Sequence, residues 1–407
     1  MRLTIVNQFY APDVSPTAQL AASLAEHRAA RGDEVTIIAG TGRYAPAAAS
    51  SRSSAGPNPR LLRVWTPSLG RRTATRRLID YAAFFAQAKW RLLTLPAQDA
   101  ILLLTTPPYI AMTGAVHKLL HRRARLVLWS MDCYPETMVR AGVIGAYSLP
   151  ARLLGAANRW LFSRLDDVVC LDEAMRELLE SAYSSQGKPR FSVIANWERA
   201  DSFPPRGLAA PWEGTGRLAL EGKQVVLYLG NAGTGHRFDT VLAAARRLAG
   251  GPHVFLFVGG GAAWPALQAA RDSENRANVF LEGYVSGERL PSVLASADAA
   301  LITLRDEMMG VMSPSKLHAA LAMALPIVYI GPAGGNVHEA IERFGCGISL
   351  RHGDSDGLVS FLEQLRSEPA LRDELGRRAR LAFETAYSDR VGFARFDSLL
   401  DGQAPRP

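Results

Sequence analysis

Two serines and a lysine stand together at the predicted start of a helix in the second half of the chain. Ser313, Pro314, Ser315 and Lys316 are consecutive, and the residues after them are rich in alanine and leucine. Serine is a favoured helix cap and proline is favoured in the first turn, so we predict a helix over residues 316–324 with Ser313 as its cap. The free backbone N–H groups of a helix start, two hydroxyls and an ammonium group suit an anion. We expect this anion to be a diphosphate.

The residues that follow predict a strand, a loop and a second helix. Pro326 ends the first helix, and the apolar run at residues 327–330 is typical of a buried parallel strand. A glycine-rich loop at residues 331–335 follows, and then a helix over residues 336–344. The predicted anion site therefore belongs to an α/β domain.

A second glycine-rich loop lies between a predicted strand at residues 224–229 and a predicted helix at residues 238–248. In chain order the loop contains Gly230, Asn231, Gly233, His236 and Arg237. Glycine lets a backbone approach a phosphate closely, and the next helix directs its N-terminus to the same place. The spacing matches neither the dinucleotide-binding fingerprint nor the P-loop. Because glycine here is often only a tight turn, this loop alone is weak evidence for a phosphate site.

Two carboxylates follow a predicted strand at residues 126–130. Asp132 and Glu136 lie in its exit loop, at the sheet edge where open α/β folds bind ligands. This placement suits catalysis or the binding of a hydroxyl group. Helix capping is the alternative for Asp132, and the sequence leaves the two readings open.

Alternating strands and helices organise the chain as two doubly wound α/β halves. The first half opens with a βαβ unit, and the pattern restarts at residue 224 after a segment rich in proline, glycine and alanine. We predict an N-terminal domain over residues 1–200 and a C-terminal domain over residues 201–385. Residues 386–407 are predicted as a helical tail that packs back toward the first domain. Two such domains that face each other form a cleft, which is where ligands bind.

Bulk composition is that of an ordinary globular protein. The chain has 407 residues, of which 48% are hydrophobic, and a net charge of +8. Cys133, Cys170 and Cys346 are far apart, so the sequence predicts neither a disulfide framework nor a zinc site. The sequence shows neither a signal peptide nor an apolar run of about 18 residues, and we expect a cytoplasmic protein.

A basic, aromatic segment at residues 71–95 is the predicted site of a peripheral membrane contact. Arg71, Arg72, Arg76 and Arg77 precede an apolar body that contains phenylalanine and tryptophan. Such a helix can lie on an anionic bilayer, here the inner face of the cytoplasmic membrane. The alternative is a helix that packs on the sheet with its arginines in water. Nucleic-acid binding is not expected, because the aromatic residues do not interleave with a basic stripe.

Taken in order, several segments resemble the retaining glycosyltransferases of family 4, which have the GT-B fold. They are YAPDVSPTAQLAASLAEHRAARGDEV, TTPP, MDCYPE, VIANWE, the loop that starts at Gly230, NVFLEGYVSGERLPSVLASAD, SPSKL and GPAGGNVHEAI. Their order and spacing together are specific, and the resemblance covers nearly the whole chain. SPSKL and the Asp-x-x-Pro-Glu loop are most similar to the bacterial branch that builds exopolysaccharide and O-antigen repeat units on lipid carriers.

The resemblance implies transfer of a hexosyl or N-acetylhexosaminyl group from a nucleotide sugar, most often a UDP-sugar, to a lipid-linked or saccharide acceptor. The residues that would bind the donor are Gly230, Asn231, Gly233, Arg237, Tyr284, Val285, Ser313, Ser315, Lys316 and Glu339. Those that would act in catalysis are Asp132, His236 and Lys316. Those that would bind the acceptor are Asp13, Ser15, Thr17 and Glu136. Positive groups stabilise the leaving diphosphate in this family, so no metal and no cofactor are expected.

The chain departs from the family pattern at two acidic positions. The family's paired glutamates would fall at Val311 and Ala319, so another group must bind the ribose, and Glu307 and Glu339 are the available acids. There are two alternatives to transfer, and the missing glutamates favour the second of them. One is a nucleotide-sugar epimerase of the same architecture, and the other is a catalytically degenerate partner subunit that binds a nucleotide or another transferase.

Overall fold

Parallel strands form two separate sheets, one in each half of the chain. The computed structural model describes residues 1–13, 15–41, 58–67, 69, 73–204, 206–273 and 277–402. The first sheet comprises β1 (Arg2–Val6), β2 (Glu34–Gly40), β3 (Arg60–Val64), β4 (Ala100–Leu103), β5 (Arg125–Trp129), β6 (Asp167–Cys170) and β7 (Arg190–Val193). The second comprises β8 (Gln224–Asn231), β9 (His253–Gly260), β10 (Val279–Glu282), β11 (Ala299–Thr303), β12 (Ile327–Ile330) and β13 (Gly347–Leu350).

Helices alternate with these strands. Those of the first half are α1 (Pro16–Ala30), α2 (Ala74–Thr94), α3 (Ala111–Leu120), α4 (Glu136–Arg140), α5 (Leu149–Phe162) and α6 (Glu173–Tyr183). Those of the second half are α7 (Gly214–Arg217), α8 (Asp239–Arg247), α9 (Trp264–Ser273), α10 (Leu290–Ala295), α11 (Lys316–Ala322), α12 (Gly335–Phe344), α13 (Ser355–Ser367), α14 (Pro369–Ala382) and α15 (Asp389–Leu400). The predicted class, α/β with two doubly wound sheets, is confirmed.

Each sheet has one point at which the strand order reverses. The first sheet runs β3-β2-β1-β4-β5-β6-β7, so the reversal lies between β1 and β4. The second runs β10-β9-β8-β11-β12-β13, and the reversal lies between β8 and β11. Loops leave in opposite directions at such a point, and the crevice between them at the carboxyl edge is where open α/β sheets bind ligands. The central strands are apolar and fully buried, because helices cover both faces of a parallel sheet.

The chain divides into two compact units. The first comprises Met1–Leu171, Met175–Ile194 and the chain from Phe393 onward, and the second comprises Asp172–Ala174 and Ala195–Gly392. The part of α15 that belongs to the first unit packs on its sheet. There the ring of Phe396 lies 4.6 Å from the ring of Trp129.

An ion-pair cluster fixes the same helix on α1. The guanidinium of Arg28 is buried and donates to Asp397 at 2.8 Å and to Asp401 at 2.7 Å. The two carboxylates raise the pKa of Arg28 against the effect of its burial. Asp33 accepts from the same guanidinium at 2.5 Å. A buried arginine with these acceptors keeps its charge, and removal of one acid would leave that charge less well compensated.

The helix around Lys316 begins where it is predicted, but its cap differs and it ends at Ala322 and not at residue 324. Ser313 is not its cap: Ser315 is the capping residue, Lys316 is the first helical residue, and the Ser315 side chain makes no capping hydrogen bond. The backbone at Pro314 forms a looser turn, in which its carbonyl accepts from the Leu317 N–H at 3.4 Å. Ser313 and Pro314 therefore precede the helix and do not cap it.

One further predicted helix and one omission also need correction. The predicted helix at residues 71–95 is observed as α2, with Thr73 as its cap, and Arg71 and Arg72 lie outside the described residues. The sequence analysis placed no element between Glu136 and residue 168, where the structure has α4 and α5. Ser148 caps α5 by accepting from the Ala151 N–H, which is a signal that the sequence contained.

Candidate active site

Three predicted site residues, Asn231, His236 and Lys316, meet at the switch point of the second unit. The loop after β8 carries His236, and Lys316 begins α11. The ammonium of Lys316 donates to the backbone carbonyl of Asn231 at 3.2 Å and to Nε2 of His236 at 3.2 Å. It also lies 4.9 Å from the centroid of the Tyr228 ring. The end of β8 thus holds a cation where the sequence predicts an anion site.

Hydrogen bonds on both ring nitrogens fix the tautomer of His236. Its Nδ1 lies 2.6 Å from the carbonyl oxygen of Thr303, which can only accept, so Nδ1 carries the hydrogen. Nε2 is then free to accept from the Lys316 ammonium. Burial, and next the charge of Lys316, lower the pKa of His236 to about 3, against the bond to Thr303. The imidazole is therefore neutral at pH 7 and holds Lys316 in place.

Lys316 is partly accessible at the surface and is otherwise enclosed by protein. This burial lowers the pKa of its ammonium to about 8. The group is still mainly charged at pH 7, but it has lost part of the hydration that a free lysine keeps. A partly desolvated cation gains more from an anionic ligand than a fully hydrated one.

Glycines let the ends of β8 and β9 approach each other and the lysine. Gly230 has a φ of +113°, and a Cβ there would lie 3.5 Å from Cε of Lys316. Gly259 has a φ of +145°, and a Cβ there would lie only 2.1 Å from the Gly230 carbonyl oxygen. Gly233 accepts from the His236 N–H at 3.2 Å and closes the turn. A side chain at Gly259 would push the strand ends apart.

Tyr284, a predicted donor-binding residue, lies beside this loop. Its hydroxyl is 3.4 Å from Oδ1 of Asn231, and its ring lies next to Gly260. The side chain is 67% exposed, which leaves the ring accessible to a ligand. Val285 follows it and is half-buried.

The other donor candidates are more dispersed. Ser313 is half-buried and Ser315 is exposed next to Lys316. Arg237 pairs with Asp239 at 2.6 Å in the first turn of α8. Glu339 is exposed on α12.

Two polar groups at this edge escaped the sequence analysis. One is Thr303 at the end of β11, which fixes His236. The other is Asn336 at the start of α12, which is buried and whose Nδ2 has no hydrogen-bond acceptor among the described residues. Thr303 is 67 residues from His236 along the chain, so only the fold brings them together. The glycines before Asn336 and the helix after it were the available signal for the second residue.

Asp132, in the first unit, lies beyond β5 at the edge of a small pocket. Oγ1 of Thr105 accepts from the N–H groups of Met131 and Asp132 at 3.2 and 3.1 Å and fixes this turn. The pocket is lined by Asp132, Tyr109, Asn158 and apolar side chains. Burial raises the pKa of the Asp132 carboxyl, which makes its carboxylate a stronger base than that of a free aspartate.

Glu136, the second predicted acid of this loop, is held in the first turn of α4. Its Oε1 accepts from the hydroxyl of Tyr183, while its Oε2 is buried without a donor among the described residues. The carboxylate and burial together raise the pKa of Tyr183, burial being the larger cause. One oxygen of Glu136 is thus already used by the protein itself.

The predicted acceptor residues before α1 form a local cap. Oδ1 of Asp13 accepts from the Ser15 N–H at 3.1 Å, and Oγ of Ser15 accepts from the Ala18 N–H at 3.3 Å. The hydroxyl of Thr17 lies 3.5 Å from that of Ser15. These contacts order the loop after β1, which borders the switch point of the first sheet.

Two family models match the two halves of the chain. A glycosyl transferase 4-like domain matches residues 17–197, and glycosyl transferases group 1 matches residues 223–368. The chain belongs to the family 4 glycosyltransferases. In this glycosyltransferase the first match covers Asp132 and the second covers both Lys316 and the glycine loop.

Named relatives are glycosyltransferases, and a solved structure shares the fold. The chain is 26% identical to the probable glycosyltransferase WbjE of Pseudomonas aeruginosa, over 74% of each chain. It is 23% identical to the putative colanic acid biosynthesis glycosyl transferase WcaI of Escherichia coli K12, over 89% of this chain and 92% of that one. Anabaena HepE, solved in complex with UDP-glucose, superposes with a TM-score of 0.69 at 13% identity, over 99% of this chain and 100% of that one. The GT-B fold that the sequence predicts is confirmed.

In the described part of this glycosyltransferase, no helix is both long and apolar enough to cross a membrane. Among the same residues, no group of three or more His, Cys, Asp or Glu side chains is arranged to hold a metal ion.

Proposed function

We propose that this glycosyltransferase moves a sugar from a UDP-sugar to a lipid-linked or saccharide acceptor with retention of configuration. The observation that carries the proposal is the Lys316 ammonium, held at the switch point by His236 and the Asn231 carbonyl. A diphosphate is the anionic part of such a donor. Lys316 is the group in the second unit best placed to bind it.

Lys316 stabilises the leaving group in this proposal. When the bond between the sugar C1 and the diphosphate oxygen breaks, negative charge develops on that oxygen. An ammonium that is already fixed and partly desolvated lowers the energy of this charge without reorganising. Exposed Ser315 adds a hydroxyl donor next to the lysine. Because the cation comes from the protein, the proposed transfer requires neither a metal nor a cofactor.

The glycine loop and Tyr284 hold the remainder of the donor. The backbone at Gly230 lies next to Lys316, and with Gly233 in the same loop it would contact the phosphates. The exposed Tyr284 ring and the backbone at Val285 bind the base, and the complex of HepE with UDP-glucose supports uracil. The unpaired amide of Asn336, with Glu339 on the same helix, binds hydroxyl groups of the donor in place of the absent family glutamates.

Asp132 orients the acceptor in the first unit. Its raised pKa makes it a better proton acceptor for a sugar hydroxyl than an ordinary aspartate. The new bond joins the acceptor oxygen to C1, and the hydroxyl proton leaves toward the carboxylate or the departing phosphate. WbjE and WcaI, the latter named for colanic acid biosynthesis, support a role in cell-surface polysaccharide synthesis. The basic helix α2 would bring the enzyme to the membrane surface where such acceptors reside.

A thermal-shift screen followed by a transfer assay tests the proposal. A ligand that binds only the native state stabilises it, by about 2.7 kcal/mol at 100 times Kd. We expect UDP to stabilise the protein more than GDP, ADP or CMP do. NMR of the product from a UDP-sugar should show the anomeric configuration of the donor. A flat response to all four nucleotides would contradict the donor site and would favour a degenerate partner subunit, whereas an inverted anomer would contradict retention.

A further inference from the structure

Exposed apolar side chains are concentrated on one unit of the protein. Of the sixteen large apolar side chains that are exposed among the described residues, thirteen belong to the first unit. Eight of these lie on three helices, α2, α3 and α5. A solvated helix normally directs such side chains inward, so their outward position calls for a partner.

These three helices are neighbours in one layer. α2 packs against α3, and α3 packs against α5. Each helix is followed within a few residues by the next strand of the parallel sheet. The C-terminal ends of the three helices therefore lie at the same edge of the sheet. The outer surface of this layer is therefore continuous from α2 to α5.

Helix α5 has apolar residues on its outer side as well as on its buried side. Leu149, Leu153, Ala156 and Trp160 are spaced by four, three and four residues, which places them along one side of the helix. All four are exposed, and Leu149 and Leu153 are 67% and 61% accessible. The opposite side is buried against the protein. The outer stripe is consequently not needed for the packing of α5.

Charge on the same helices is almost entirely positive. Together α2, α3 and α5 carry seven lysines and arginines and a single acid, Asp80. Asp80 is buried and accepts from the Leu69 N–H at 3.1 Å, so it does not offset the outer charge. Arg152 and Arg159 flank the α5 stripe, and the guanidinium of Arg164 lies 4.1 Å from the centroid of the Trp160 ring.

We infer that the outer faces of α2 and α5 together form a docking face for an anionic lipid bilayer. The docking face consists of Leu78, Ile79, Trp90, Leu149, Leu153 and Trp160. Apolar side chains enter the boundary between headgroups and acyl chains, tryptophans settle at that boundary, and flanking arginines attract anionic headgroups. Two copies of this face would bring like charges together, which disfavours a homodimer through it.

Contact through α5 deepens the proposed function, because it is the part of the surface that continues from the Asp132 loop. The chain runs from Glu136 through α4 and the connection at residues 141–148 into α5. A bilayer against α5 would present a lipid-linked acceptor to the first unit. Delivery of a lipid-linked acceptor rests on the proposed function. Binding to lipid does not, because it can be measured without a sugar nucleotide.

Co-sedimentation with vesicles tests the docking face. The full chain is mixed with vesicles of phosphatidylcholine alone or with phosphatidylglycerol added. We expect binding only to the second kind, weakened by salt because the attraction is partly electrostatic. The triple variant Leu149→Ser, Leu153→Ser, Trp160→Ser should bind about tenfold more weakly or worse. The pair Arg76→Ser, Arg77→Ser should weaken binding to anionic vesicles as well.

A matched control replaces exposed apolar residues elsewhere. Leu208→Ser with Leu381→Ser removes two exposed leucines from the second unit and should sediment like the wild type. Unchanged thermal unfolding of the triple variant will show that it is folded, and the Arg152→Ser, Arg159→Ser pair provides a second test that leaves the apolar stripe intact.

Three outcomes would overturn the inference. They are failure of the wild type to bind anionic vesicles, equal binding by the triple variant, and a lipid-free dimer of the wild type that the triple variant disrupts. Lys316→Ala should bind vesicles normally while losing transfer, so failure of docking and failure of the proposed transfer are separate results.

Discussion

Lys316 and His236 share a hydrogen bond of 3.2 Å whose direction is set by a third residue. The Thr303 carbonyl accepts a hydrogen bond from Nδ1–H of His236 at 2.6 Å, so the lone pair of Nε2 faces the ammonium. The two side chains belong to the loop after β8 and to the start of α11. Their contact orients a cation at the carboxyl edge of the second sheet.

Replacement of Lys316 tests the donor site. Lys316→Ala removes a charge-assisted contact to phosphate, so we expect the donor kcat/KM to fall by about tenfold or more. The stabilisation of the protein by UDP in a thermal-shift measurement should shrink with it. Asp201→Asn, an exposed change in the same unit, is the control and should leave both values unchanged. Normal kinetics in Lys316→Ala would remove this residue from the site.

His236 is predicted to position Lys316 and to exchange no proton with substrate. His236→Leu should lower the donor kcat/KM by roughly tenfold, because the ammonium loses its fixed acceptor. Gln at this position can still accept a hydrogen bond, so His236→Gln should recover part of the loss. Thermal unfolding gives a second readout. The pKa of His236 is about 3 when folded against 6.5 as a free group, so the unfolded state binds more protons between these values.

Stability from this histidine is therefore complete above pH 6.5 and is lost as the pH falls toward 3. The His236→Gln variant should show a shallower loss of stability over that range. If both variants match the wild type in donor kcat/KM and in acid unfolding, the positioning role is wrong.

The pH dependence of donor binding should follow Lys316. Its pKa is about 8 in the ligand-free protein, and only the ammonium makes the charged contact. The donor kcat/KM should therefore be constant below this pH and fall above it. Lys316→Arg, which keeps its charge, should not show this fall wherever the variant is active. A wild-type profile that is flat from pH 7 to 9.5 would contradict the assignment.

The same pKa predicts an opposite trend in stability. The folded pKa of Lys316 lies below the ordinary value of 10.5, so the unfolded chain binds more protons between about pH 8 and 10.5. This group therefore makes the ligand-free protein more stable as the pH rises through that window. Burial of the Lys316 ammonium thus lowers the stability of the ligand-free protein and strengthens the contact with the donor. Such an exchange of stability for function is common at functional sites.

Local patterns in the sequence predicted the class of fold and most strands. Runs such as β12 are buried on both sides and are apolar throughout, so they stand out without any knowledge of their neighbours. Helix α5 was missed although Ser148 supplies a capping signal and Pro150 stands in its first turn.

The candidate site was only partly predictable for a different reason. Lys316, His236 and Asn231 were each chosen from local motifs, but their mutual contacts are made across elements that are 80 or more residues apart in sequence. Thr303 carries no local signal, because its contribution is a backbone carbonyl at the end of a strand. Asp13 and Ser15 were chosen for their side-chain oxygens as acceptor-binding residues. In the structure these oxygens already accept hydrogen bonds from the backbone at the start of α1.

Asp132 offers a test of the acceptor side. Asp132→Asn keeps the shape of the side chain and removes its basicity, so transfer should fall by about a hundredfold or more if the carboxylate takes the hydroxyl proton. Stabilisation by UDP should persist, because the donor residues are unchanged. The ratio of transfer to donor hydrolysis in water separates the two roles. Equal transfer by Asp132→Asn and the wild type would leave this carboxyl as a structural group of the loop.

Metal chelation distinguishes a protein cation from a metal ion at the leaving group. A diphosphate that departs from the sugar carries charge that either Mg²⁺ or a fixed ammonium can stabilise. Lys316 already occupies the end of β8 with its charge directed by two acceptors, so we expect EDTA to leave the rate of transfer unchanged within about twofold. The Lys316→Ala variant is the informative comparison. If the wild type loses activity with EDTA and regains it with added Mg²⁺, the metal supplies the charge and Lys316 only helps to bind the donor.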